Sequence, residues 1–387
     1  MLNWSEADKS QHFPNTYTVE VTVLIFASMS THFHALRVRE VRRETPDTVS
    51  VSFDVPENFR DIFRYTQGQY ITLRTTINGE DVRRSYSICT GVQEDDLRVA
   101  VKKVYGGVFS TYANEQLQAG DELDVMPPQG RFFTPLDAGQ QRLYVAFAAG
   151  SGITPVMSIL KTTLAQEPLS RFLLFYGNRG FDQVIFREQL EVLKSLYPQR
   201  LSVHHVFSRE ALGSDLFYGR LNGEKCSSYA RVLFRPEEVD AFFLCGPEDM
   251  VFDIKETLES LGTNPKQIHF ELFSTPGQAK RKIDPMASGI KSDAFDAFIT
   301  VHQDGMQFDF TLPSDGSTIL DAAMRAGADL PFSCKGGVCS TCKAKVLEGE
   351  VEMDVCYGLE PDEIAAGFVL TCQAHPRSNK LVVSFEH

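Results

Sequence analysis

The sequence predicts a multidomain fold: an antiparallel β-barrel, an α/β domain with a parallel sheet, and a small cysteine-bearing domain. Short alternating strands broken by turns occupy residues 34–138, and strands then alternate with helical patterns over 139–273. Residues 274–295 are rich in Pro, Gly and Lys and poor in apolar side chains, which predicts a linker before residues 296–387. A length of 387 residues also favours two or three domains.

The barrel is predicted from period-2 segments at 36–41, 48–53 and 97–101, and from a hairpin signal at Asn78-Gly79. Two motifs stand among these strands. One is Arg84-Ser85-Tyr86-Ser87, in which the planar guanidinium suits a phosphate group. The other is Gly106-Gly107, which exposes backbone N–H groups beside a helix predicted to start at Ser110.

The α/β domain begins with an apolar strand at 142–147, followed by Gly150-Ser151-Gly152-Ile153-Thr154-Pro155. A strand, a glycine turn and a helix together form a pyrophosphate site, since the helix N-terminus attracts an anion. Pro155 fits the first turn of the helix, where its missing N–H costs nothing. This stretch therefore predicts a dinucleotide site.

Basic residues follow the next two predicted strands. The strand at 171–176 leads to Gly177-Asn178-Arg179, and the strand at 201–207 leads to Ser208-Arg209. Arginine there favours the 2′-phosphate of NADPH, whereas an acid favours the ribose hydroxyls of NADH. Asp182 and Glu210 lie close in sequence, so both cofactors stay open and NADPH is preferred.

The C-terminal quarter carries Cys334-x4-Cys339-x2-Cys342, followed by Cys372. This is the plant-type [2Fe–2S] spacing, and it fits paired C-x2-C zinc sites poorly. Cys356 is the alternative fourth ligand, but it lies among acidic residues, whereas Cys372 ends an apolar stretch. We therefore expect Cys372 to complete the set. A structural-zinc protein with a sensory nucleotide fold is the alternative from a different functional class.

Composition restricts the partners and the compartment. The formal charge of −13 argues against nucleic acid or an anionic membrane as a partner. Three further cysteines, at 89, 226 and 245, lack ligand spacing, and no secretion signal is evident, so a reducing cytoplasm is expected. Residues 1–33 are predicted to be an N-terminal extension, with translation starting at Met29 as one explanation.

In their order along the chain, these motifs resemble those of the ferredoxin–NADP reductase superfamily, whose signatures are R-x-Y-S, G-x-x-S, G-x-G-x-x-P and Cys-Gly-Pro. Residues 34–387 resemble reductase components of bacterial oxygenases, including those of phenylacetyl-CoA epoxidases and 3-ketosteroid 9α-hydroxylases. The resemblance implies a flavin-binding β-barrel at 34–138, an NADP-binding domain at 139–273 and a β-grasp-like α+β ferredoxin domain at 296–387.

The resemblance also implies roles for individual residues. Arg84 would meet the flavin pyrophosphate, Tyr86 would lie against the isoalloxazine ring, and Ser87 would bond to the flavin. Val101, Gly106, Gly107 and Ser110 would complete the flavin site. Cys245, Gly246 and Pro247 would border the nicotinamide, with Phe273 shielding the flavin.

The implied cofactors are FAD, NADPH and a [2Fe–2S] cluster, with FMN as the alternative flavin. The expected enzyme is an NAD(P)H-dependent oxidoreductase that passes electrons to an oxygenase, foremost the diiron phenylacetyl-CoA epoxidase. A 3-ketosteroid hydroxylase or an aromatic-ring dioxygenase is the alternative partner. No side chain is expected to act as a catalytic acid or base, although Glu271 could handle flavin protons.

Overall fold

The computed structural model describes residues 32–211, 213–273 and 295–386. The possible start at Met29 and nearly all of the predicted linker lie outside these ranges. In the part of the chain that is described, no helix is both long and apolar enough to cross a membrane. Three sheets of five or six strands follow one another along the chain, with one additional two-stranded sheet.

The first sheet contains six strands, every neighbouring pair of which is antiparallel, in the order β4-β3-β6-β1-β2-β5. The strands are β1 His34–Thr45, β2 Thr48–Asp54, β3 Tyr70–Ile77, β4 Glu80–Ser87, β5 Leu97–Lys102 and β6 Glu122–Gln129. The predicted hairpin is confirmed, because Asn78 and Gly79 join β3 to β4 with φ of 53° and 83°.

The sheet curls until its two edge strands meet. Directly after β4, Ile88 forms an antiparallel bridge with Val99 of β5, and the Cys89 N–H donates to the Arg98 carbonyl at 2.9 Å. This closure satisfies backbone groups that an open edge would expose. The helix α1, Val108–Glu115, packs beside the barrel and begins two residues earlier than predicted.

The second sheet is entirely parallel, in the order β11-β10-β7-β8-β9. Its elements are β7 Leu143–Ala149, α2 Ile153–Gln166, β8 Arg171–Asn178, α3 Arg187–Leu196, β9 Leu201–Phe207, α4 Gly223–Val232, β10 Ala241–Gly246, α5 Glu248–Ser260 and β11 Ile268–Leu272. One apolar layer joins the sheet to α2 and α3, and the other joins it to α4 and α5. The strand order reverses between β7 and β10, where ligands bind in open α/β sheets.

The third domain has a mixed sheet, β13-β12-β18-β14-β16, and a separate β15-β17 pair. Its elements are β12 Asp296–Gln303, β13 Met306–Pro313, α6 Ile319–Arg325, β14 Lys343–Glu348, β15 Val351–Met353, α7 Pro361–Ala365, β16 Phe368–Leu370, β17 Ala374–Pro376 and β18 Lys380–Ser384. Buried side chains of α6 pack on the sheet, in agreement with the expected β-grasp-like arrangement. The segment between α6 and β14 carries the first three clustered cysteines.

Candidate electron-transfer site

The strand β4 separates the R-x-Y-S residues onto two faces, because side chains alternate along a strand. Arg84 is exposed, and the half-buried Tyr86 ring lies 5.5 Å from the Phe109 ring of α1. Arg83 and Ser85 point to the other face. The strand thus presents Arg84 and Tyr86 on one side, whereas Ser87, the last residue of the motif, lies on the other side with Arg83 and Ser85.

The glycine loop before α1 is held by internal contacts, and the Gly107 N–H donates to the Val104 carbonyl at 2.9 Å. Gly106 adopts φ of +71°, which disfavours any other residue. A Cβ on Gly107 would lie 2.5 Å from Ser110 Oγ. That hydroxyl accepts a hydrogen bond from the Val104 N–H at 3.1 Å, so Ser110 shapes the loop from within.

Val101 is fully buried in the barrel core, and its carbonyl accepts a hydrogen bond from Asn114 at 3.0 Å. Its side chain therefore contributes to packing behind the loop. Any contact of Val101 with a flavin remains a prediction.

A polar group lies where the barrel meets the α/β domain. Ser87 Oγ donates to Glu271 Oε2 at 3.4 Å, and Glu271 on β11 pairs with the buried Cys245 on β10. Burial raises the pKa of the Glu271 carboxyl to about 8, although the Ser87 hydrogen bond opposes this. The raised pKa allows Glu271 to hold a proton near neutral pH, next to the predicted flavin site. Sequence reasoning had given it little weight.

The two glycine turns of the α/β domain touch each other. Gly150 adopts φ of +53°, and a Cβ on Gly152 would lie only 2.2 Å from the Cys245 carbonyl oxygen. Pro155 lies in the first turn of α2, and Thr154 Oγ1 donates to the Ser151 carbonyl at 3.0 Å. The turn after β7 and the end of β10 thus form one wall of the crevice.

The end of β10 continues into this wall. Gly246 accepts a hydrogen bond at its carbonyl from the Phe273 N–H at 3.0 Å, and Pro247 immediately precedes α5. The half-buried Phe273 packs against the α2 side of the sheet core. It lies at the domain boundary, where shielding of a flavin stays a prediction.

The predicted basic residues come together at the ends of β8 and β9. The Arg209 N–H donates to the Arg179 carbonyl at 2.9 Å, and the Ser208 N–H donates to the Asn178 carbonyl at 3.0 Å. Both arginine side chains are exposed and line a cleft of about 350 Å³. Asn178 Nδ2 is buried with no hydrogen-bond partner, a group that a bound ligand could satisfy.

The structure also shows what the acidic residue Glu210 contacts and which barrel residues line this cleft. Glu210 accepts a hydrogen bond from the Phe181 N–H at 3.1 Å, so its carboxylate is engaged by the loop after β8. A Cβ on Gly177 would lie 3.1 Å from Leu221. The barrel contributes Pro46 and Asp47 to the cleft, which sequence reasoning missed because they come from the β1–β2 turn.

The cysteine loop folds back on itself. Lys335, Gly337 and Ser340 adopt φ of 48°, 75° and 57°, and the Gly336 and Cys339 N–H groups donate to Cys334 Sγ at 3.2 and 3.4 Å. Backbone N–H groups aimed at a cysteine sulfur are what a thiolate-bound iron–sulfur cluster requires. The cysteine loop therefore has the backbone arrangement that a [2Fe–2S] cluster would need.

The four predicted thiols form two pairs. Cys334 lies within hydrogen-bond reach of Cys339, and Cys342 within reach of Cys372. In the described ranges, no three His, Cys, Asp or Glu side chains converge on a point suited to a single metal ion. Electrostatic interactions also link Cys372 to Cys334 and Cys342 to Cys339, so the four thiols lie near one another. Cys372 is buried, whereas Cys356 is half-buried in the segment between β15 and α7.

The cysteine loop lies against the barrel through contacts that the sequence did not reveal. Arg83 pairs with Asp329 at 2.9 Å, and Ser85 Oγ donates to Ser333 Oγ at 2.7 Å. Tyr70 of β3 donates to the Cys339 carbonyl. The loop thus rests on the face of β3 and β4 opposite to Arg84 and Tyr86.

Two further contacts join the third domain to the others. The Tyr357 hydroxyl donates to Glu248 at the start of α5 at 3.0 Å, and Arg131 pairs with Glu363 at 2.7 Å. The third domain therefore contacts the barrel at the β3–β4 face and at Arg131, and it contacts the α/β domain at the start of α5.

Family models match the three regions separately. An oxidoreductase FAD-binding domain matches residues 35–133, an oxidoreductase NAD-binding domain matches 147–256, and a 2Fe-2S iron-sulfur cluster binding domain matches 301–377. The expected cofactor classes, a flavin, a nicotinamide dinucleotide and a [2Fe–2S] cluster, are confirmed at the level of these domains.

Relatives match nearly the whole chain. One subunit of the 1,2-phenylacetyl-CoA epoxidase of Escherichia coli is 47% identical, with 92% of this chain and 98% of the relative covered. The ferredoxin reductase component of the 3-ketosteroid-9-alpha-monooxygenase of Rhodococcus rhodochrous is 35% identical, with 90% and 96% covered.

The fold is also found in a solved phthalate dioxygenase reductase. That structure superposes with a TM-score of 0.56 at 22% identity, covering 91% of this chain and 98% of the other. The order of barrel, parallel sheet and cluster domain is therefore shared along the full length. With its sequence relatives and its three domain matches, this NAD(P)H-dependent oxidoreductase belongs to the oxygenase reductase components of the ferredoxin–NADP reductase superfamily.

Proposed function

We propose that this chain draws electrons from NADPH and delivers them singly to the oxygenase component of a phenylacetyl-CoA epoxidase. The observation that carries the choice of partner is the 47% identity to the Escherichia coli epoxidase component, which extends over almost the full length of both chains. Identity to the 3-ketosteroid monooxygenase reductase is lower, at 35%. A ketosteroid or aromatic-ring oxygenase is the alternative recipient.

Each cofactor has a set of residues to hold it. Arg84, Tyr86, Ser87 and the Gly106–Gly107 loop would hold FAD, since they combine a phosphate-binding cation, an aromatic ring and a glycine loop at the start of a helix. The turns at Gly150–Pro155 and Cys245–Pro247 would hold the nicotinamide dinucleotide. Cys334, Cys339, Cys342 and Cys372 would hold the cluster, for which the paired thiols and the N–H groups aimed at sulfur are the support.

NADPH is the proposed donor because two exposed arginines, Arg179 and Arg209, line one cleft at the ends of β8 and β9. Glu210, the acid next in sequence, already accepts a backbone hydrogen bond. Asn178 Nδ2 offers an unpartnered donor at the same edge of the sheet. A charge-assisted bond from arginine to phosphate is the stronger of the interactions available there.

A bound FAD would supply the chemistry that links a two-electron donor to a one-electron cluster, because a flavin can exchange electrons in pairs or singly. The chain positions the groups for this sequence. Ser87, at the end of the predicted flavin-binding strand, donates to Glu271, and Glu271 pairs across the sheet with the buried Cys245 of the predicted nicotinamide site. The cysteine loop rests on β3 and β4, so the three sites adjoin.

The cytoplasm is the proposed compartment, since all eight cysteines are free thiols in the structure. A reducing compartment keeps the four clustered thiols available for iron. Fractionation of cells that produce the native protein tests this placement, and recovery from an oxidising compartment would contradict it.

Reconstitution tests the partner. The purified reductase, supplied with NADPH, is combined in parallel with the oxygenase components of a phenylacetyl-CoA epoxidase and of a 3-ketosteroid 9α-monooxygenase, and product is measured. Turnover with the epoxidase and little with the steroid enzyme is expected. The reverse pattern would show that the partner is a 3-ketosteroid monooxygenase. The absorption spectrum distinguishes a reductase, whichever oxygenase it serves, from a protein with structural zinc. A colourless protein with stoichiometric zinc would contradict every electron-transfer function.

A further inference from the structure

The Tyr70 side chain connects the barrel to the cysteine loop. Tyr70 is 5% exposed, and its hydroxyl donates to the Cys339 carbonyl and lies 3.1 Å from Thr341 Oγ1. Cys339 and Thr341 lie on either side of Ser340, within the loop that carries three of the four clustered thiols. Because a buried hydroxyl requires partners, separating the loop from the barrel would leave this group without its two main contacts.

Tyr70 also lies beside the flavin-binding motif. In the β3–β4 ladder Tyr70 pairs directly with Ser87, so the two side chains share one face of the sheet. Ser87 in turn donates to Glu271. Tyr70, which contacts the cysteine loop, therefore lies directly across the strand pair from Ser87 of the R-x-Y-S motif.

Neighbouring contacts on the same face support the alignment. Thr72 and Ser85 are 3.1 Å apart at their hydroxyl oxygens, and Ser85 also donates to Ser333 at the start of the loop. Arg83 pairs with Asp329 and lies 4.6 Å from the centre of the Phe332 ring. Tyr70 is the member of this face whose hydrogen bonds reach the segment between Cys339 and Cys342 itself.

We propose that Tyr70 is a positioning residue that holds the cysteine loop against the flavin barrel and thereby sets the rate of the internal electron transfer. In that step one electron leaves the reduced flavin and one electron enters the oxidised cluster, and no bond to a protein atom forms or breaks. The proposal rests on the proposed function and adds a residue that acts through the geometry of the loop. The ring occupies space beside Gly130, whose Cβ would come 3.0 Å from Tyr70 Cδ1, so a variant should keep the ring.

Tyr70→Phe keeps the ring and removes the hydroxyl. The first measurement is amide hydrogen exchange of the oxidised protein, which reports docking independently of turnover. Faster exchange in peptides covering 329–341 is expected, with little change in the parallel-sheet domain. Unchanged exchange would overturn the proposal even if the protein had another function.

The second measurement is rapid mixing with NADPH, followed at separate wavelengths for the flavin and the cluster. In Tyr70→Phe the flavin phase should keep its wild-type rate, whereas the cluster phase should slow about tenfold, the scale of one lost hydrogen bond. Equal cluster rates in the two proteins would overturn the proposal. A wild-type protein in which NADPH reduces no cluster would instead refute the proposed function, and the exchange experiment would still decide the docking.

Two further variants control for stability and folding. Tyr229→Phe removes a hydroxyl that donates to the Leu216 carbonyl at 2.9 Å inside the α/β domain, so it matches the chemistry but lies away from the loop. It should leave the cluster phase unchanged, and slowing equal to that of Tyr70→Phe would point to a general loss of stability and overturn the proposal. If Tyr70→Phe fails to fold, Asp329→Asn weakens the same docking from an exposed position and should slow the cluster phase by a smaller factor, whereas no slowing would count against the docking.

Discussion

Ser87 Oγ lies 3.4 Å from Glu271 Oε2, and this hydrogen bond crosses the boundary between the barrel and the parallel-sheet domain. The two residues are 184 positions apart in the chain. The contact brings the last residue of the R-x-Y-S motif to a carboxyl group that burial keeps protonated near neutral pH. It thus joins a predicted flavin residue to a group that can hold a proton.

The raised pKa of Glu271, about 8, predicts a pH-dependent cost to stability. An unfolded glutamate titrates near 4.3, so between roughly pH 4.3 and 8 the folded state retains a proton that the unfolded state releases. Stability should therefore fall as pH rises through this window. Glu271→Gln removes the effect, and its melting temperature should exceed that of the wild type by more at pH 9 than at pH 5. Exposed Glu224→Gln is the control, and a difference independent of pH in Glu271→Gln would contradict the prediction.

Arg209→Ala should raise KM for NADPH more than KM for NADH. Loss of a charge-assisted contact with phosphate costs about 1.5–3 kcal/mol, or roughly 10- to 150-fold in affinity. Steady-state kinetics with both nucleotides measure the ratio. Arg171→Ala, an exposed arginine at the opposite end of β8, should leave the ratio unchanged. Equal effects of Arg209→Ala on the two nucleotides would show that Arg209 does not bind the 2′-phosphate.

Cys372→Ser should impair cluster assembly, because a serine oxygen is a poorer ligand for an iron–sulfur centre than a thiolate. The flavin and nucleotide residues come from the first two domains, so NADPH-dependent reduction of ferricyanide should persist. Reduction of cytochrome c or of an oxygenase should fail. Cys356→Ser is the matched control and should resemble the wild type. Loss of the cluster in Cys356→Ser alone would reverse the assignment of the fourth ligand.

Gly152→Ala should be more damaging than Gly150→Ala. A Cβ at Gly152 would lie 2.2 Å from the Cys245 carbonyl and force the two glycine turns apart, whereas a Cβ at Gly150 meets no atom within 4 Å. Gly150→Ala costs only the strain of a positive φ, about 1 kcal/mol, and Gly152→Ala should cost more than that. Thermal unfolding and the KM for NADPH provide the measurements. Similar losses in both variants would contradict this ranking.

Local patterns predicted most of the secondary-structure elements. The strand at 201–207 coincides with β9, and the glycines at 79, 106 and 150 adopt the positive φ that their motifs require. These features depend on neighbours in sequence, such as side-chain alternation and the missing Cβ of glycine. The start of α1 at Val108 instead of Ser110 shows the usual limit, since boundaries depend on caps more than on periodicity.

By itself the sequence determined the order of the three domains, the cysteine spacing and the classes of cofactor, because each is encoded in a short contiguous motif. Only the tertiary structure decided which distant residues meet. It paired Ser87 with Glu271 and set Tyr70 against the Cys339 carbonyl. Such contacts arise from the closure of the barrel, the strand order of the parallel sheet and the packing between domains. These long-range arrangements satisfy buried polar groups that no local pattern reveals.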